Sequence, residues 1–240
     1  LSGGLVFQTA LRMVVARGLA AEAERDVVKA LEATRGGPLE FFYLAGLDSG
    51  LPRAELLARG AAVFFIFAAG NLADDVADGD CTYLPARAAP GVQFMLQNLV
   101  FDVLLESSVP REDLKAAAAM LVVGAGQQQR EIRTESWTFE LSRDVALGIA
   151  GGQYAAYLRL LWAGTALSEG AASVGSDLGS AGNVALDITS NDARVTTLSP
   201  ADRRALVAWA REAVNRLRPL GHRSIQASLA TISPVLDHEP

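Results

Sequence analysis

Cysteine is almost missing from this chain. Cys81 stands alone among 240 residues, which excludes an internal disulfide and makes a reducing cytoplasmic compartment the expected one. Histidine is nearly as scarce. His222 and His238 both lie near the C-terminus, too little material for a histidine-based zinc site or a Ser-His-Asp triad. Positive charge is in deficit: 21 Lys and Arg stand against 27 Asp and Glu, a net charge of −6. A nucleic-acid surface is therefore not expected. Long apolar runs are lacking too. The longest uncharged one, Gly60 to Gly70, is too short to cross a bilayer, so a transmembrane protein is not expected. No signal peptide is visible, in a chain that begins without Met. Repeats, low-complexity linkers and alternating strand patterns are absent as well.

What remains is rich in alanine and leucine, and half of the residues are hydrophobic. That composition favours helices around one large core, and residues 1–240 are expected to form a single domain. The periodicity predicts helices over Phe7–Ala33 (broken near Gly18), Leu39–Leu47, Leu51 to about Ala77, Gly91–Ser107 and Pro110 to about Arg133. Further helices follow over Phe139–Leu167, Ala171 to about Asp192, Pro200–Leu217 and Gly221 to about Ile232. The fold class is all-α, a bundle of about ten helices.

One stretch organises the rest: Asn71-Leu-Ala-Asp74-Asp75-Val-Ala-Asp78-Gly-Asp80, directly after the apolar run. A helix there places Asn71, Asp74 and Asp78 on one stripe, with Asp75 the next position round. Carboxylates this close repel and raise one another's pKa unless a divalent cation lies between them. Oxygen-only ligands favour Mg²⁺, which shares its shell with water and phosphate. A solvated acidic helix end is the alternative, and the aromatic, uncharged run just before it argues against a surface helix. A second polar series, Asn183, Asp187 and Asn191 with Ser190 beside them, recurs every four residues on an otherwise apolar helix. A capped helix end would also explain it. Gln127, Arg130 and Glu131 share a helix face. Gln127 either turns its carbonyl towards a cavity or is satisfied by backbone.

Asp74-Asp75-Val-Ala-Asp78 resembles the first aspartate-rich motif of the trans-isoprenyl diphosphate synthases and their class I terpene synthase relatives. The segment from Asn183 to Arg194 resembles their second motif, with Leu186 and Ser190 where acids are expected. Gly126-Gln127 resembles the glutamine-bearing central helix. Gly151-Gly152-Gln153-Tyr154 lies where synthases carry a lysine-threonine pair, and the lysine is absent. Arg35-Gly36-Gly37-Pro38 keeps little of the segment that grips isopentenyl diphosphate, and the paired arginines after the first motif are missing. The resemblance covers about Gly36 to Leu198 and also takes in compact class I prenyltransferases with unusual acceptors.

This resemblance implies an isoprenoid-synthase bundle around a central cavity. Its substrate would be an allylic isoprenoid diphosphate, coupled to a prenyl acceptor. Two or three Mg²⁺ would be held by Asp74, Asp75, Asp78, Asn183 and Asp187. Asp74, Asp75, Gln127 and Asp187 would be catalytic, and Arg194, Arg130 and Arg87 would bind diphosphate. The hydrocarbon pocket would be lined by Phe67, Gly70, Gln153 and Tyr154. In the family the prenyl chain runs back along the first-motif helix, which makes Phe67 the expected floor. A homodimer is expected. A terpene cyclase on the same fold and a non-catalytic partner subunit of a prenyl synthase are the alternatives.

Overall fold

The computed structural model describes residues 3–239, which form twelve α-helices and one π-helical turn, with no strand among the described residues. The helices gather into two compact units, divided between Val109 and Pro110.

The first unit holds α1 (Gly3–Ala16), α2 (Ala21–Ala33), α3 (Leu39–Asp48), α4 (Arg53–Asp78) and α5 (Ala89–Glu106). The expected break near Gly18 is real. Its φ of 59° is the left-handed conformation that glycine adopts without a Cβ penalty. Helix α4 is the centre, packed against α5, α1 and α3. Residues 59–65 are buried on every side of it, the pattern of a helix surrounded by others. Phe64 meets Phe7 edge-on, with ring centroids 6.0 Å apart. Arg59 lies inside this core and is only 1 % exposed. Its Nε donates to Glu55 Oε1 (2.7 Å) and its Nη2 to Ser108 Oγ (2.9 Å), which ties the start of α4 to the chain beyond α5. The 26 residues of α4 are long and apolar enough to cross a membrane by length and composition, unlike the short run read from the sequence. Of its most apolar window 61 % is buried within the protein, as in a core helix.

The second unit holds α6 (Arg111–Glu131), α7 (Phe139–Ala146), a π-turn (Leu147–Gly151), α8 (Gly152–Leu161), α9 (Ala171–Ser190), the single-turn α10 (Ala193–Thr196), α11 (Pro200–Leu217) and α12 (Arg223–His238). Here α9 is central, against α8, α11 and the π-turn. Its approach to α8 depends on Gly175 and Gly179, where a Cβ would fall on the backbone of Tyr154, Ala155 and Ala150. Helix α11 matches its expected span. Ser199 caps it by accepting from the Asp202 amide (3.1 Å), and Pro200 opens it.

Two expectations need correction. The helix predicted over Phe139–Leu167 stops at Leu161, because Gly164 turns left-handed with φ 70°, and the π-turn interrupts it midway. The last helix runs past its predicted end at Ile232 to His238, through Pro234. Packing and a side-chain bond near its end hold the helix across Pro234. Ile232 and Leu236 are both buried, and Arg211 donates to the Leu236 carbonyl from Nε (3.0 Å).

Candidate functional site

The acidic end of α4 is built by the way that helix stops. Gly79 turns left-handed with φ 80°, and the amides of Asp80 and Cys81 return to the Asp75 carbonyl at 2.8 and 3.0 Å. Asp74 and Asp78 are exposed on this last stretch, while Asp75 is half-buried. The Asp75 carboxylate is held from two sides: Asn71 Nδ2 donates to Oδ2 at 2.9 Å and the Tyr83 hydroxyl donates to the same oxygen at 2.7 Å. Burial first, and then the Asp75 carboxylate, push the Tyr83 hydroxyl well above its ordinary pKa, so Tyr83 remains a donor. Asn71 therefore belongs with Asp75 rather than with the Asp74–Asp78 stripe. Arg87 lies exposed in the following loop.

One turn and two turns before Asp74 come Gly70 and Phe67, both half-buried on the face that continues into the acids. Phe67 packs on Phe42 (centroids 6.3 Å apart), and a Cβ on Gly37 would strike its ring. Phe64 and Val63, nearby on the same helix, are fully buried.

In the second unit, Asn183 and Asp187 lie one turn apart on α9, and Asn183 Nδ2 donates to Asp187 Oδ2 at 2.8 Å. Asp187 is 3 % exposed. Asn191 does not extend their stripe. It ends the helix in the left-handed conformation, with φ 56°. That turn sends the chain back, so that Asp192 caps α10 and Arg194 lies over the end of α9. The Arg194 guanidinium then meets three carboxylates: Glu131 on α6 at 2.6 Å, Asp187 at 2.9 Å and Asp192 at 3.1 Å. Asp187 Oδ1 lies beside Arg194 Nη2 but off the N–H direction, so this contact is an ion pair without a directed hydrogen bond.

The charges respond to this packing. Burial pushes the Asp187 carboxyl up to about 7, with the Asp192 and Glu131 charges adding and Arg194 and Asn183 only partly opposing. Burial also works against an ionised Asp192, but its bonds from the Arg194 side chain and amide hold it below the usual carboxylate range. Burial disfavours the Arg194 charge as well, yet Asp187, Asp192 and Glu131 raise its pKa further.

Gln127 faces the π-turn. Its side chain fills the space a Cβ would take on Gly148, and its Oε1 is buried with no hydrogen-bond partner. Ser180 Oγ, against Gly151, is also buried and unpartnered. Tyr154 stacks at a tilt on Tyr157, with centroids 5.6 Å apart, beside Gly175 and Gly179; burial raises its hydroxyl pKa to about 12. Gln153 is half-buried next to it, and Arg130 is exposed.

Whether these groups suit Mg²⁺ differs between the two motifs. No group of three or more histidine, cysteine or acidic side chains placed to hold a metal occurs among the described residues. Mg²⁺ commonly takes only one or two protein carboxylates, the rest being water and phosphate. The α4 end fits that demand, with exposed Asp74 and Asp78 and a second-layer pair, Asn71 and Tyr83, orienting Asp75. The α9 end does not fit. Its one buried carboxylate faces an amide donor and a guanidinium.

No protein-family model matches the sequence, and no curated protein matches it either. Solved structures do match the fold. A geranyltranstransferase of Thermotoga maritima superposes with a TM-score of 0.73 at 15% identity, covering 97% of each chain. The fold is that of the isoprenoid synthases. An isoprenoid synthase family member of Thermotoga neapolitana gives 0.73 at 15% identity, over 98% of this chain and 99% of that one. A geranylgeranyl pyrophosphate synthase of Lactobacillus brevis gives 0.72 at 15% identity, over 99% and 96%. The all-α isoprenoid-synthase bundle expected from the sequence is thus the observed fold.

On this isoprenoid-synthase fold the structure joins residues that sequence reasoning left apart. Tyr83 had no signal, since nothing in Cys81-Thr-Tyr-Leu-Pro85 marks its hydroxyl as a partner for Asp75. Asp192 carried one, the Asp-x-Arg pattern of a short capped turn. Ser142, which donates to the Arg194 carbonyl at 2.9 Å, had none.

Proposed function

We propose that this protein is a Mg²⁺-dependent prenyltransferase that ionises an allylic isoprenoid diphosphate and couples the cation to an acceptor. The observation that carries the reading is the acidic end of α4, with Asp75 oriented by Asn71 and Tyr83, on an isoprenoid-synthase fold. Asp74 and Asp78, with Asp75 oriented beside them, would hold Mg²⁺, and the ion would supply Lewis-acid stabilisation to the departing diphosphate. Arg87 and Arg130, both exposed, are the cations left for phosphate oxygens. Phe67 and Gly70 take the hydrocarbon chain, and Gln153 and Tyr154 are the residues of the second unit that the family resemblance assigns to it. Gln127 offers its unpartnered carbonyl oxygen to positive charge. The acceptor is an alkene or a hydroxyl, and no protein nucleophile is used.

The whole chain, 1–240, acts as one domain, a reading supported by fold matches that span nearly its full length. It works as a cytoplasmic homodimer. The support for the dimer is an unpartnered apolar stripe on α5: Phe94, Phe101 and Leu105 are 67 %, 63 % and 77 % exposed at spacings of seven and four.

A second reading, a non-catalytic partner subunit, is favoured by one observation, the neutralisation of Asp187 by Arg194. The cyclase alternative rests on the likeness of Asp187-Ile-Thr-Ser190 to the mixed Asn/Ser/Glu metal motif of terpene cyclases, and it has less support, since the Ser190 hydroxyl donates back to the Leu186 carbonyl at 2.9 Å. One assay separates them. Purified protein is incubated with geranyl, farnesyl or geranylgeranyl diphosphate and Mg²⁺, with and without isopentenyl diphosphate. Pyrophosphate release that depends on an added acceptor, and is lost in EDTA, is the expected result. Release without any acceptor marks a cyclase, and no release with any substrate marks the partner subunit.

A further inference from the structure

The end of α9 is where this chain departs furthest from a metal-binding design. Of the residues on its last two turns, Leu186 is exposed and carries no oxygen, and Ser190 spends its hydroxyl on its own helix. Only Asp187 offers a carboxylate. Its Oδ2 accepts from Asn183 and its Oδ1 lies against Arg194. An incoming divalent ion would have to displace a guanidinium that is held from several directions.

That guanidinium is not a loose surface group. Nη1 meets Glu131, Nη2 meets Asp187, and Nε and Nη2 both donate to Asp192 at 3.1 and 3.2 Å. The backbone is pinned as well. The Arg194 amide donates to Asp192 Oδ1 at 2.8 Å, and the Arg194 carbonyl accepts from the buried Ser142 hydroxyl at 2.9 Å. The left-handed turn at Asn191 sets this placement, because it brings α10 straight back over the helix end. Withdrawing the side chain would leave Asp187, Asp192 and Glu131 without their shared cation in a mostly buried place.

We propose that Arg194 is the resident cation of the α9 site, so that this site is closed to metal and divalent ions enter only at the acidic end of α4. The inference rests on the proposed function for its α4 half and stands on the Arg194 contacts for its α9 half. It assigns Arg194 a fixed neutralising role rather than a grip on diphosphate.

The test counts bound ions, with Mn²⁺ as the probe and inorganic pyrophosphate as co-ligand. Electron paramagnetic resonance titrations compare wild type, Asp187→Asn and Asp74→Asn. Asp187→Asn is expected to keep the wild-type number of ions with affinity changed less than about twofold, while Asp74→Asn loses at least one. Loss of an ion in Asp187→Asn, or a drop of tenfold or more in affinity, overturns the inference and leaves the proposed function standing. A wild-type protein that binds no Mn²⁺ with pyrophosphate overturns both. Should Asp187→Asn fail to fold, anomalous scattering from Mn²⁺ in wild-type crystals grown with pyrophosphate decides. Peaks confined to Asp74, Asp75 and Asp78 support the inference, and a peak within coordination distance of Asp187 overturns it.

Discussion

The carboxylates of α4 and α9 are alike in sequence and opposite in circumstance. Asp74 and Asp78 are exposed, so truncating either side chain opens no cavity. Asp74→Ala and Asp78→Ala should each abolish Mg²⁺-dependent pyrophosphate release and leave the thermal melt close to wild type. Near-normal turnover in either variant would remove the metal assignment. Asp187 is buried, and its carboxyl is raised from 3.8 to about 7. The folded protein therefore binds a proton that the unfolded chain has released between those values. The stability this contributes is fully present below about pH 4 and is lost as pH rises through 7. Urea denaturation across pH 4–8 should show a decline of roughly 2–4 kcal/mol from this group. Asp187→Asn should flatten it, and an unchanged slope would place the proton elsewhere. The four-residue spacing made Asn183 and Asp187 legible as a pair in the sequence. It could not reveal Arg194 as the partner, because Glu131 and Ser142 come from distant helices and only the left-handed Asn191 brings the arginine back to them.

At the level of elements, helix starts and stops were read well at Gly18, Pro52, Gly79 and Pro200, and were misread at Gly164, which ends its helix early, and at Pro234, which the last helix runs through. The π-turn was invisible because a single extra residue in a helix leaves no chemical signature, only a rotated face. Its neighbour α9 shows the cost of close approach. Gly175→Ala or Gly179→Ala would drive a methyl into the backbone of α8 or the π-turn, and each should destabilise by about 1–3 kcal/mol or more in denaturant melts. Ala at the open Gly126 position is the control and should be tolerated. On α4 two phenylalanines make a paired test. Phe64 is fully buried, so Phe64→Ala should cost about 3–5 kcal/mol and leave chain length unaltered. Phe67 is half-buried on the Asp74 face, ~10 Å along the axis from it at 1.5 Å per residue. Phe67→Ala should cost less than that and lengthen the prenyl chain accepted or made. An unchanged product range in a folded Phe67→Ala protein would put the floor on another residue.

For the molecule as a whole, the stripe of Phe94, Phe101 and Leu105 predicts self-association through α5. Phe101→Glu should shift the mass measured by light scattering from dimer to monomer, with the helical content retained. A wild-type monomer at micromolar concentration would remove that reading. Helix α4 also has a history in time. It packs on α1 and α3, which leave the ribosome before it, but also on α5, which follows. At about 5–20 residues per second, the emerging α4 waits one to several seconds for that cover. During this interval a long apolar segment resembles cargo for the membrane-insertion machinery. Arg59 at one side and Asp74, Asp75 and Asp78 at the other confine its uncharged part to residues 60–73, short of the ~17 residues a bilayer span requires. By length and composition α4 passes for a span, and the carboxylates that close it are the charges that oppose insertion.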